Sequence, residues 1–151
     1  MCRGEDEFSE CYMKTPAFLV RLMQYTSLSR RLRLGPEDHM AVQFANGLRA
    51  HALEGRLRAV FCHVPNELAG SARATPAAAI ARAAGLITGA SDYLFLWEGG
   101  SGVLEAKSKT GSLTPSQKDW REWCQANGVR HAVFRSVDEG EAALRDWGVL
   151  S

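Results

Sequence analysis

From position 35 onward, the apolar residues of the chain recur in two periods, and the switches between them divide it into helices and strands. Gly35-Pro36-Glu37-Asp38 reads as a helix start, with proline at the first helical position and acids in the first turn, where the helix dipole favours them. Met40, Ala41, Phe44, Leu48 and Ala52 then recur at helical spacing, which predicts a helix to about Leu53 with Gly55 as its stop. Glu37 falls on that same apolar stripe. Residues 58–64 (RAVFCHV) are short and β-rich, a strand ended by Pro65-Asn66. After a loop, Pro76 opens an alanine-rich helix (PAAAIARAA) closed by Gly85. Residues 93–97 (YLFLW) and 102–107 (GVLEAK) are strands joined by the turn 98–101, most simply an antiparallel hairpin. Thr114-Pro115-Ser116-Gln117 is a capping box that starts a helix through about Ala126, with Asn127-Gly128 as its stop. Residues 129–135 form a fourth strand, and Ser136-Val137-Asp138-Glu139 is a second capping box opening the last helix. This order predicts an α/β domain, a mixed four-stranded central sheet flanked by helices.

Residues 1–34 match neither period strongly. Phe18, Leu19, Leu22 and Met23 have helical spacing, so this arm is either a short amphipathic helix or disordered, and the domain proper runs over 35–151. Of the 151 residues, 46% are hydrophobic and 23% charged, which favours a folded core and excludes a disordered chain, collagen or a coiled-coil rod. The formal charge of +1 gives no global attraction to nucleic acid. Charge is uneven locally: residues 1–13 set Arg3 against Glu5, Asp6, Glu7 and Glu10, whereas residues 14–34 carry Lys14, Arg21, Arg30, Arg31 and Arg33 and no acid. The second stretch is either a DNA-gripping arm or a plain leader. Cys2, Cys11, Cys62 and Cys124 form no CxxC pair, which speaks for a reducing, cytoplasmic setting and against a zinc site. The start of the chain is acidic, and the apolar stretch 16–28 is interrupted by Arg21 and too short to span a bilayer, so no membrane association is expected.

The sharpest chemical feature is Asp92 at the head of one strand and Glu105-Ala106-Lys107 on the next. Side chains alternate along a strand, so Glu105 and Lys107 share a face. If the four-residue turn sets the register, Trp97 pairs with Gly102 and Asp92 falls opposite Lys107, one diagonal step from Glu105. Two carboxylates and a lysine then converge. Acids on an inner sheet face are costly unless paired or occupied by a cation, and a hard divalent ion such as Mg²⁺ suits oxygen ligands with substrate phosphate completing its shell. A lysine beside such an ion can orient the attacking water and offset charge on a scissile phosphate. The same residues would equally serve as an exposed ion pair and a turn acid. Glu37 could reach the site from its helix, or act only as a first-turn acid, and Gln117 is explained by its capping box or by a contact with substrate. His63 and Asn66 end the first strand. Arg73, Arg82, Lys109 and Lys118 are basic candidates for phosphate contacts. Gly99-Gly100-Ser101-Gly102 lacks the GK[ST] of a phosphate-binding loop and reads as a hairpin turn.

Taken together, Pro36-Glu37-Asp38, His63-Val64-Pro65-Asn66, Gly85, Gly89-Ala90-Ser91-Asp92, Glu105-Ala106-Lys107, Gly111, Leu113-Thr114-Pro115-Ser116-Gln117 and the closing Leu144-x-x-Trp147-Gly148 resemble the VRR-NUC domain, a branch of the PD-(D/E)xK nuclease superfamily. The resemblance covers residues 36–148 and implies a restriction-endonuclease-like core and a Mg²⁺- or Mn²⁺-dependent DNA endonuclease. It further implies a phage-type stand-alone domain, cytoplasmic in a bacterial or phage-infected cell, homodimeric and directed at branched DNA such as four-way junctions. Carried over, Asp92, Glu105 and Glu37 resemble metal ligands, Lys107 the catalytic lysine and Gln117 the helix glutamine near the site. His63, Asn66, Arg73, Lys109 and Gln117 are the expected DNA contacts. Two departures stand out: Ser91 replaces the usual proline before the aspartate, and the glutamine often found a turn after the helix acid is absent, Met40 and Ala41 occupying that turn. The rival expectation is a catalytically inactive DNA-binding module with the same fold.

Overall fold

The computed structural model describes residues 34–66 and 75–151. Arg73 and all of the proposed N-terminal arm except Leu34 lie outside the described residues. Helix α1 spans Pro36–Leu53, strand β1 Val60–His63, helix α2 Pro76–Ala83, strands β2 Tyr93–Trp97 and β3 Gly100–Ala106, helix α3 Pro115–Ala126, strand β4 Arg130–Phe134 and helix α4 Val137–Asp146. Pro36 starts α1 as expected, and Thr75 caps α2 by accepting the Ala78 N–H at 3.1 Å. Asn127 and Gly128 (φ +73°) end α3, glycine taking the left-handed conformation there without the cost a Cβ would add.

The strands form one four-stranded sheet in the order β1-β2-β3-β4, antiparallel across the first two pairs and parallel across the last. The parallel pair requires a crossover, and α3 supplies it. Cross-strand partners share a face, so Phe61, Tyr93, Phe95, Leu104, Ala106 and Phe134 line one side of the sheet. There they meet Phe44 and Leu48 of α1 and Leu144 of α4, all fully buried. Phe44 stands edge-on to Tyr93 with ring centroids 5.3 Å apart, a favoured aromatic geometry. The α1–α4 contact is tied by His51 Nε2 and Glu141 Oε1 at 2.8 Å, with Arg145 on the other carboxylate oxygen. Among the described residues, no helix is long and apolar enough to cross a membrane.

Two local expectations are corrected. The hairpin turn is two residues, Glu98-Gly99, so Trp97 pairs with Gly100 and not with Gly102. The reason is aromatic: a Cβ at Gly100 would lie 2.5 Å from Trp97 Nε1, and one at Gly102 would lie 2.5 Å from the Trp147 ring. Both glycines are seats for indoles within the strand, and only Gly99, at φ +78°, serves the turn. At the second capping box, Ser136 accepts the Glu139 N–H at 3.2 Å, but the Glu139 carboxylate reaches back one residue too far and takes the Arg135 N–H at 2.8 Å.

Candidate active site

The corrected register slides Asp92 by two residues. With Tyr93 opposite Leu104, Asp92 lies where the pairing would continue to Glu105, not Lys107. A slip of two preserves parity, so Asp92, Glu105 and Lys107 still belong to one face of the sheet, the side opposite Tyr93 and Phe95. Asp92 is held on both oxygens. Oδ2 accepts the Ala106 N–H at 2.8 Å, and Oδ1 accepts from Asn66 Nδ2 at 3.2 Å. The same Asn66 amide also donates to the Ala90 carbonyl, while the Val64 N–H donates to the Asp92 carbonyl at 2.8 Å. Asn66, expected as a DNA contact, is thus placed behind Asp92 as its support.

Glu105 is 1% exposed. Its Oε1 takes two donors, Lys107 Nζ at 3.0 Å and Gln117 Nε2. Its Oε2 is buried with no partner. Burial raises the Glu105 carboxyl to about 7, the Asp92 charge adds to the rise, and the bond to Lys107 and its charge oppose it, with Glu37 pushing further upward. A carboxylate oxygen left bare in a buried site near a second acid carries a desolvation cost that nothing among the described residues offsets.

Gln117 serves two roles at once. Its Oε1 accepts the Thr114 N–H at 2.9 Å, completing the capping box, and its Nε2 turns to Glu105. The first turn of α3 is seated against the loop before β2: Gly89, at φ +91°, approaches so closely that a Cβ would lie 2.5 Å from the Ser116 carbonyl carbon. Outside this core a cleft of about 610 Å³ is lined by Glu37, His39 and Gln43 of α1, by Lys107 and Lys109, and by Arg135 beyond β4.

Glu37 corrects the expectation of a buried helix acid. The stripe that is buried runs through Phe44, Leu48 and His51, whereas Glu37, in the first turn before α1 reaches the core, is exposed on the cleft wall. Lys109 is exposed on the same cleft. His63 is exposed at the end of β1, its ring centroid 5.3 Å from that of Tyr93. Arg82 and Lys118 are exposed on α2 and α3. His39, Gln43 and Arg135 were not anticipated. The signal for the first two is their i, i+4 spacing on α1 two residues past Glu37, and for Arg135 it is its place directly after a strand parallel to β3.

Among the described residues, no group of three His, Cys, Asp and Glu side chains could hold a metal ion. Asp92 and Glu105 nonetheless fit one, because Mg²⁺ is usually held by one or two carboxylates with water and phosphate oxygens completing six positions, and Oε2 of Glu105 is available.

No family model and no curated protein matches this chain. Among solved structures it is similar to a VRR_NUC domain protein, with a TM-score of 0.53 at 17% identity over 80% of this chain and 93% of that one. The chain therefore has the mixed α/β fold of that protein.

Proposed function

We propose that this protein is a Mg²⁺- or Mn²⁺-dependent DNA endonuclease that hydrolyses phosphodiester bonds, with branched DNA such as four-way junctions as its preferred substrate. One observation carries the reading: Glu105 is buried, raised in pKa and left with one bare oxygen close to Asp92, while Lys107, bonded to its other oxygen, lines an open cleft. The similarity in fold to the VRR_NUC domain protein supports it. The preference for branched DNA and a homodimeric state rest on the family resemblance of the sequence, and two sites across a twofold axis would suit a symmetric junction.

In this reading Asp92 and Glu105 would hold the divalent ion, which would supply Lewis-acid polarisation of the phosphate and ease deprotonation of the attacking water. Every supporting contact then has a task. Asn66 and the Ala106 N–H fix the Asp92 carboxylate so that little reorganisation is needed when a cation arrives. Gln117 and Lys107 load one oxygen of Glu105 and leave the other free. Lys107, 13% exposed at its side chain, bonds Glu105 and lines the cleft, and in this reading it orients water and offsets the charge that builds on the scissile phosphate. Glu37 adds negative charge from the cleft wall.

The test is cleavage of labelled linear, flapped and four-way DNA with and without Mg²⁺ and Mn²⁺, by the wild type and Lys107→Ala. Metal-dependent nicking that falls by orders of magnitude in the variant, with DNA binding retained, is expected. DNA binding without cleavage under any metal would leave an inactive binding module, and a Lys107→Ala loss of only a few-fold would remove lysine from the chemistry.

A further inference from the structure

The turn that follows Lys107 is held by one side chain from outside it. Arg135, the first residue past β4, donates from its guanidinium to the Gly111 carbonyl at 3.0 Å. The Lys107 N–H donates to the Phe134 carbonyl at 3.0 Å, so the parallel pairing of β3 with β4 runs on past β3 and sets Lys107 beside Arg135. Arg135 is itself fixed, its own N–H donating to Glu139 Oε2 at 2.8 Å. The turn closes through the Gly111 N–H and the Ser108 carbonyl at 3.0 Å. It lies so tightly on the lysine stem that a Cβ at Gly111 would be 3.4 Å from Lys107 Cδ and 2.9 Å from Ser108 Oγ.

Beyond the turn the chain resumes at Thr114, whose capping box aims Gln117 at Glu105. Both donors of Glu105 Oε1, Lys107 and Gln117, therefore flank the one segment that Arg135 holds. A guanidinium has five N–H donors in a rigid fork, and the Gly111 carbonyl takes one edge of it. Arg135 is exposed and lines the cleft with the half-buried Lys107 and the exposed Lys109, so its remaining donors are open to an anion there.

We propose that Arg135 grips a phosphate of the nucleic-acid strand lying in the cleft and, through Gly111, holds the turn that positions Lys107 and Gln117. The proposal rests on the nuclease reading above for its substrate, and it makes Arg135 a binding and positioning residue. Neutralising one phosphate contributes a slope of about one to the dependence of log affinity on log salt. Charge alone is enough for that contact, whereas reaching a phosphate and the Gly111 carbonyl together needs the fork.

The experiment compares wild type, Arg135→Ala, Arg135→Lys and Gly111→Ala in the full chain. It measures DNA affinity against salt in EDTA, steady-state cleavage with Mg²⁺, and thermal melting. Arg135→Ala should flatten the salt slope by about one, raise KM and lower kcat roughly tenfold or more, with melting near wild type because the side chain is exposed. Arg135→Lys should restore the slope but not kcat, and Gly111→Ala should lower kcat with the slope intact. An unchanged slope in Arg135→Ala would overturn the phosphate contact, and full recovery of kcat in Arg135→Lys would overturn the positioning role. Absence of cleavage in the wild type would count against the nuclease reading alone, since the EDTA binding series still reads the phosphate contact.

Discussion

Two helices of this protein open on the same four-residue signal, and they use it differently. At α3, Thr114 and Gln117 complete the reciprocal box, and Gln117 has a donor left over, which it gives to Glu105. At α4, Ser136 caps the Glu139 N–H, but the Glu139 side chain is taken by the Arg135 N–H outside the box. In both cases the third helical side chain ends on a group of the candidate site. The difference lies in what it finds there: a buried carboxylate with raised pKa in one, an exposed arginine backbone in the other. The same local signal is thus worth more at α3, because there a helix terminus and a desolvated charge depend on one amide.

The largest expected effect comes from replacing the carboxyl that Gln117 serves. A carboxyl raised from 4.5 to about 7 holds its proton in the folded state and gives it up only at a cost. Its contribution to stability is present below pH 4.5 and is lost as the pH rises through about 7. Metal-free Glu105→Gln should therefore match wild type near pH 4 and exceed it at pH 8 by up to about 3 kcal/mol, as read from denaturant unfolding at the two pH values. On the nuclease reading, added Mg²⁺ should narrow that gap, since the wild type keeps both carboxylates proposed to bind it.

Next is Gln117→Glu, which keeps an acceptor for the Thr114 N–H but replaces the donor to Glu105 with a second acid. A bond to a charged group is worth about 2 kcal/mol, so single-turnover cleavage should slow by between tenfold and a hundredfold while α3 stays capped. Equal rates in the two proteins would show that Glu105 does not depend on this amide. Thr114→Ala removes the cap alone and should cost about 1 kcal/mol of stability, with a smaller loss of activity through a looser Gln117. Ser136→Ala should cost the least, roughly 0.5 kcal/mol, because its box is incomplete. A Ser136→Ala penalty equal to that of Thr114→Ala would erase the distinction between the two helices.

The hydrophobic periods and caps placed every helix and strand of the described domain, because each element carries its own local signal. The site was legible in part for the same reason: strand alternation put Glu105 and Lys107 on one face, and parity kept Asp92 there despite the shift of register. What the sequence hid was set by contacts distant along the chain. The turn length could not be read, because consecutive glycines look like turn residues until Trp97 and Trp147 are seen to occupy the space above Gly100 and Gly102. Strand alternation and helical spacing each give a face but not a depth, so neither the burial of Glu105 nor the exposure of Glu37 followed from them. Asn66 and Arg135 act across sequence separations of about 25 residues, on Asp92 and Gly111. No spacing rule reaches that far.

The seat of Gly89 against Ser116 bears on how such a site could come apart in the course of descent. The backbone there is in the left-handed region, and the neighbour a side chain would strike is main chain, which cannot step aside as a flexible side chain would. Any residue larger than glycine at position 89 must push the first turn of α3, and Gln117 with it, away from Glu105. A descendant could therefore keep every acid, the lysine and the glutamine, look intact to an inventory of charged residues, and still lose the contact of Gln117 with Glu105 by the gain of a single methyl group.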